Sequence, residues 1–451
     1  MRGRDWLFFW IISVLLAGAA MAQIFMIIGF SGRSGVRSAL EGDARAEEYT
    51  MLEAKNLYLS LQGRRQFVLV PEGTGDFETL SGKCRELLKE ALALSVVQTD
   101  LGALSPEDLL GETVCVLELK TTGSSQMIRS EMSLPENRFP EGRFDQIWIR
   151  PALSVTDDVE IYFLDSEGGT LMMASGGSYR LETNRNLLEE IIAVGSAVEA
   201  DYVWQGDAFP EIFAESGFLR LSGKEMGAKG SLSSPFLSEE GVLGTRMHRY
   251  GMSFFEFPDT VSEQMMGGAD GETDLLLSNE KITLRLSPEG KVVYVETLTE
   301  EEKEAVGLKQ AYDIASGFIR QDMSHTSGEQ MDFYLRSFEE AGGDFIFCFD
   351  YEIASLPLQM EELLQPLGME APIVVTVQGS KVRRYERCLV KVELSSEQTL
   401  RYSWLQMADR CVEDGITLLG PPRLSYRLSH GQLILFWLIP TPEGEELRFA
   451  L

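Results

Sequence analysis

The chain has 451 residues, with 70 acidic against 40 basic side chains and a formal net charge of −30. A field of that sign repels phosphate backbones and anionic head groups, which argues against nucleic acid as a partner. Hydrophobic residues make up 44% of the chain and aromatic ones 10%, enough to build packed cores, so a disordered tail is excluded as well.

No Asp, Glu, Lys or Arg occurs between Asp5 and Arg33. At about 1.5 Å of rise per residue, residues 6–30 exceed the roughly 30 Å of a hydrocarbon core, and a lone segment in lipid must be helical to satisfy its own backbone groups. A five-residue tail (1–5) and a transmembrane anchor (6–30) are therefore predicted. The competing reading is a cleaved leader, with Arg2 and Arg4 as its basic region and Ala20-Met21-Ala22 before Gln23 as the small-x-small site. The run IFMIIGF after Gln23 is nearly all apolar, where a leader gives way to polar sequence, and this favours the uncleaved anchor. Arg2 and Arg4 on one side against Arg33, Arg37 and Arg45 on the other give no strong charge bias. The short tail offers no domain to the cytoplasm, so the chain is placed in the cell membrane as a single-pass protein with its N-terminus cytoplasmic and its bulk extracytoplasmic. Gly18 and Ala22 form a small-xxx-small pair, preceded by Ser13 and Ala17, and Gln23 could hydrogen-bond across a helix contact. These five residues are the candidate contact with a partner helix.

The remaining chain reads as α+β, in two or three extracytoplasmic domains of helices packed on antiparallel sheets. Residues 44–200 are taken as the first. Residues 44–62 are expected to leave the membrane as a helix, followed by a strand at 67–71. Leu80, Cys84, Leu87, Leu88, Ala91 and Leu94 fall on one helical stripe. Residues 114–119, 146–150, 159–164 and 170–174 read as strands, and 186–200 as a helix. Near 201 glycine and serine become frequent, and a β-rich middle domain (201–298) is expected, with strands at 251–257, 273–277, 282–286 and 291–298. The sequence Ser287-Pro288-Glu289-Gly290 supplies the last turn.

Residues 299–451 form the third unit. Thr299 and Glu302 have capping-box spacing before an apolar face of Leu308, Ala311, Tyr312, Ala315 and Ile319. Phe345, Phe347, Phe349, Tyr351 and Ile353 then alternate with Ile346, Cys348, Asp350 and Glu352, the period of a half-buried strand with an aromatic inner face. Hairpins at 373–377/381–385 and 423–428/432–439 and a helix at 398–412 complete an antiparallel sheet with a helix across it.

Catalytic chemistry is sparse. No GxSxG, GxxxxGK[ST], HExxH or EF-hand pattern occurs. The glycines of residues 29–35 sit at the membrane exit and not between a strand and a helix. Asp270, Glu272 and Asp274 lack the order of a calcium loop and read as a solvated turn. Asp350 and Glu352 share a strand face, as glycosidase carboxylates can, but that face is expected to point to solvent. The three histidines, His248, His325 and His430, are far apart in sequence and none is near a cysteine. Five widely spaced cysteines, Cys84, Cys115, Cys348, Cys388 and Cys411, contain no CxxC and read as buried free thiols. No cofactor, no metal and no catalytic set is expected.

The strand FIFCFDYEIASLPLQ (345–359), the segment APIVVTVQGSKVRRYE (371–386) and the closing GQLILFWLIPTPEG (431–444), behind a short basic tail and one spanning helix, resemble the YycH/YycI family of two-component system regulatory proteins from Gram-positive bacteria. The same segments look like PepSY-type sheet units. The resemblance implies a non-enzymatic protein outside the membrane that binds a sensor histidine kinase and adjusts its activity, with a second YycH/YycI-type protein as a further partner. The alternative it leaves open is an envelope or sporulation-associated binding protein, or a peptidase inhibitor, with PepSY-like domains.

Overall fold

The computed structural model describes residues 50–98, 106–135, 139–166, 170–178, 180–204, 217–220, 226–236, 243–267, 273–326, 331–399, 403–414, 423–440 and 446–450. They build a mixed α+β, sheet-rich molecule with two large sheets.

The first lobe centres on nine strands: β1 (Ala54–Ser60), β2 (Gln66–Pro71), β3 (Val96–Gln98), β4 (Val114–Ser124), β5 (Arg143–Arg150), β6 (Asp158–Asp165), β7 (Thr170–Ser178), β8 (Tyr202–Trp204) and β9 (Phe218–Arg220). Their order is β3-β7-β6-β5-β4-β1-β2-β8-β9, antiparallel throughout. Helices α1 (Gly75–Leu94), α2 (Ser125–Glu131) and α3 (Glu182–Ala197) accompany it. The stripe read from the sequence is the buried face of α1 from Leu80 through Ala91, whereas Leu94, its last member, is exposed; the Thr74 side chain caps the helix by accepting from the Phe77 N–H. Helices α1 and α3 pack against each other, α1 against β7 and both against β1. On β4, Cys115 and Leu117 belong to this helix-side core, whereas Val114 and Val116 join a second cluster with Tyr58, Phe67, Trp148 and Trp204. Here the Trp148 and Trp204 rings meet edge to face at 5.0 Å, and Phe218 stacks on Tyr58 at 3.8 Å. Both faces of the sheet are thus covered.

The described part of the expected 44–62 helix is a strand. Leu57 and Leu59 face the helices while Tyr58 faces the aromatic cluster, and all three are buried. A strand buried on both sides loses the polar half of its alternation, so its period is not visible in sequence.

The change of sheet falls between Arg220 and Met226. The second lobe holds β10 (Met226–Ser233), β11 (Ser262–Gly267), β12 (Thr273–Ser278), β13 (Ile282–Leu286), β14 (Lys291–Glu296), β15 (Met331–Ala341), β16 (Asp344–Ile353), β17 (Leu356–Gln359), β18 (Ile373–Gln378), β19 (Lys381–Cys388), β20 (Lys391–Thr399), β21 (Arg423–Ser429), β22 (Gln432–Pro440) and β23 (Glu446–Ala450). The order is β11-β12-β13-β14-β19-β18-β16-β17-β21-β22-β10-β20, with β15 on β16 and β23 on β22; β17 and β21 run parallel. Residues on either side of 298 therefore share one sheet, through the β14–β19 pair. Helices α4 (Leu243–Met252), α5 (Leu308–Thr326), α6 (Glu361–Leu367) and α7 (Trp404–Glu413) complete the lobe.

The aromatic face of β16 lies as expected, with Tyr312 of α5 at 5.8 Å from Phe347. Gly290 closes the expected turn at φ +105, where a Cβ would meet the Leu389 carbonyl oxygen. Three local readings change. Residues 251–252 end helix α4, and Phe254 and Phe255 are buried in the turn after it, because α4 presents Met247 and Tyr250 to the same core. Thr299 donates to Glu302 through both its N–H (2.9 Å) and its hydroxyl (3.0 Å), so no hydroxyl caps a helix there; a short 3-10 turn follows and α5 starts only at Leu308. The reciprocal capping box is at Ser403 and Gln406, and it delays α7 relative to the expected 398 start.

Candidate functional site at the cleft between the two sheets

The far end of β4 leaves its pairing with β5 after Glu118, resumes it at Gly123, and there runs against β15. The Thr121 hydroxyl donates to the Arg336 carbonyl at 2.9 Å. Helix α5 fastens the lobes a second time: its Lys309 N–H donates to Ser130 Oγ of α2 at 3.0 Å, and Tyr312 OH donates to the Thr50 carbonyl at 3.1 Å. Between the sheets lies a cleft of about 690 Å³. One wall is Lys55, Glu118, Lys120 and Asp145; the other includes Tyr334, Arg336, Asp350, Glu352, Gln359 and Arg423.

At one end Lys120 reaches across. Its Nζ lies 2.6 Å from Glu352 Oε1 of β16, 2.7 Å from Glu72 Oε1 and 3.6 Å from Glu53 Oε2. The Lys120 side chain is 5% exposed and that of Glu352 7%. Burial alone would lower the ammonium pKa, but Glu352, Glu53 and Glu72 together hold it above its ordinary value. One cation cannot neutralise three acids. Burial, with repulsion from Glu352 and Asp332, pushes Glu53 up to about 7 against the pull of Lys120 and Arg320, so this carboxyl carries a proton over part of the neutral range. Glu352 is raised too, by burial, with Lys120 opposing.

The other end differs. Glu118 accepts from Asn56 Nδ2 (2.6 Å) and Tyr58 OH (3.2 Å), and Asp145 from the Ser166 N–H (3.0 Å) and hydroxyl. With those acids engaged by neutral donors, neither Lys55 nor Arg423 forms an ion pair within 4.0 Å among the described residues. Burial holds Lys55 below its ordinary range, with Glu118 only partly offsetting it. Among the described residues the lining holds no histidine and no cysteine, so none of its nucleophiles stands beside an imidazole base. The cleft thus presents groups of both charge signs from two sheets.

The sequence found Asp350 and Glu352 but placed them in solvent. The first lobe covers that face: Glu352 is buried against Lys120, and Asp350 lies 3.7 Å from Arg336 with its carboxyl raised by burial. Glu53, Lys55, Glu72, Lys120 and Arg423 were missed. A signal existed for one of them: in VCVLELKTT, Glu118 and Lys120 continue the face of Val114 and Val116, charges on an otherwise apolar stripe. Asp274 pairs with Arg285 at 2.5 Å, and no group of three or more potential metal ligands is present among the described residues. Asp270, Glu272 and the 29–35 glycines lie outside the described residues. So does the segment 6–30 with Ser13, Ala17, Gly18, Ala22 and Gln23. Among the described residues no helix is long and apolar enough to cross a membrane.

No protein-family model and no curated protein matches the sequence. Among solved structures, the chain is similar to the crystal structure of YycH from Bacillus subtilis, with a TM-score of 0.51 at 12% identity. The likeness covers 88% of this chain and 95% of that one. The chain therefore has a YycH-like fold, as its C-terminal segments suggest.

Proposed function

We propose that this protein is a membrane-anchored, extracytoplasmic regulator that binds a sensor histidine kinase of a two-component system and modulates its activity without catalysis. The observation that carries the reading is the YycH-like fold, which extends over nearly the whole of both chains. The apolar segment 6–30 supplies the anchor, with the N-terminus in the cytoplasm, and Ser13, Ala17, Gly18, Ala22 and Gln23 supply the helix face that meets the kinase.

The test is purification of the full chain from detergent-solubilised membranes of its own cells, with bound kinase scored by autophosphorylation. Wild type and the surface variant Glu300→Ala are expected to bring the kinase down equally, whereas Gly18→Leu combined with Gln23→Leu cuts its recovery at least fivefold. Recovery of the chain free of membrane with Gln23 as its first residue, or of membrane-bound chain without any kinase, overturns the reading.

A further inference from the structure

Cys84 sits on the apolar stripe of α1, and Cys115 lies beneath it on the helix-facing side of β4. Their sulfur atoms are 3.5 Å apart, neither residue has any exposed surface, and 31 positions separate them in the chain. No second sulfur–sulfur contact is present among the described residues: Cys348 is on β16, Cys388 on β19 and Cys411 on α7. We propose that Cys84 and Cys115 form a disulfide bond that fastens helix α1 to the first sheet, an inference that rests on the extracytoplasmic placement above for its oxidising surroundings.

The bond needs the two sulfurs to close by roughly 1.5 Å, to about 2.05 Å, a movement within reach of small side-chain and helix adjustments. The oxidant is the disulfide of an extracytoplasmic thiol oxidoreductase or of a small-molecule thiol. One Cys thiolate attacks that disulfide, giving a mixed disulfide and one released thiol. The second Cys then loses its proton and displaces the oxidant's remaining sulfur, so two electrons and two protons leave the chain and the oxidant departs as two thiols. Contact with Cys115 and burial hold the Cys84 thiol well above its ordinary range once α1 is docked, so exchange takes place before docking is complete.

The test refolds the full chain in detergent at graded ratios of reduced to oxidised glutathione, followed by alkylation under denaturing conditions and peptide mapping. The Cys84–Cys115 cross-link is expected at oxidant levels that leave Cys348, Cys388 and Cys411 alkylated, and Cys84→Ser abolishes it without creating another pair. The oxidised chain should melt about 5 °C above the reduced one. Cys84 and Cys115 both alkylated at every ratio, or pairing with the other cysteines as often as with each other, overturns the proposal. The folded double variant Cys84→Ala/Cys115→Ala supplies the reduced-state baseline. A bond that forms in this assay but is absent from chain taken from cells speaks against the extracytoplasmic placement and leaves the pairing standing.

Discussion

Two buried cations organise the molecule in opposite ways. Arg387, in the second lobe, has no exposed surface and its Nη1 donates to Asp322 Oδ2 at 2.6 Å. Three phenols join the pair. Tyr385 OH donates to Asp322 Oδ2 and Tyr250 OH to Asp322 Oδ1, while Arg387 Nε donates to Tyr351 OH. The network joins α4, α5, β16 and β19, with the guanidinium on one carboxylate oxygen and phenols donating to both. Lys120, between the lobes, instead faces three carboxylates and is left with a surplus of negative charge. The first is a fixed fastening within one core. The second is a fastening between cores whose strength follows pH, because part of its surplus titrates near neutrality.

Arg387→Met should break the comparison at its strongest point. It leaves Asp322 buried without its counter-charge, and a loss of about 3–5 kcal/mol is expected in chemical denaturation. Adding Asp322→Leu to it should recover part of that loss, because no isolated charge then remains. Lys120→Met removes the cation that bridges the three acids, and a loss of about 2–3 kcal/mol is expected at pH 8, less at pH 5 where Glu53 already carries its proton. A loss independent of pH would show that the two fastenings do not differ in kind.

Glu53→Gln sharpens the same point with the opposite sign. Glu53 titrates at about 7 in the folded chain against an ordinary 4.5, so the protonated form is the one that folding favours. Its contribution is complete below about 4.5 and lost as pH rises through 7. The amide cannot ionise, so melting temperatures of variant and wild type should coincide near pH 5 and separate near pH 8. The variant should then be the more stable, by at most about 3 kcal/mol. A variant that melts lower at pH 8 would show that attraction to Lys120 outweighs the surplus charge.

The smallest effect concerns the cleft rim. Ala354 and Ser355 turn β16 into β17 with φ of 50 and 61, although both carry a Cβ. Two-residue hairpins of this kind favour Asn-Gly, so Ser355→Gly should stabilise by about 0.5–1 kcal/mol in thermal melts while leaving the pH response of the Lys120 cluster unchanged.

Much of the second lobe was legible in sequence because its central strand is covered differently on its two faces. Phe345, Phe347, Phe349 and Tyr351 alternate with Ile346, Cys348, Asp350 and Glu352, and the aromatic set did turn inward. The helical stripe from Leu80 to Ala91 was legible for the same reason. Strand β1 was not, because aromatic residues cover one of its faces and helices the other. The Thr299–Glu302 spacing misled because hydroxyl and N–H both turned to one carboxylate, a choice that spacing does not specify.

The cleft shows where sequence reasoning stopped. Lys120 and Glu352 are separated by 232 positions, and nothing in either strand's pattern names the other as its partner. Pattern within a strand reports which face can be buried, since burial of apolar surface sets the alternation. It does not report which other sheet arrives on the polar face. Composition, the apolar segment 6–30 and the periodic faces of individual elements were determined by the sequence alone. The docking of one lobe on the other, and with it the conversion of solvent-facing charges into a buried cluster, was decided by the tertiary structure, because a charge has the same identity in water and in a cleft but a different free energy.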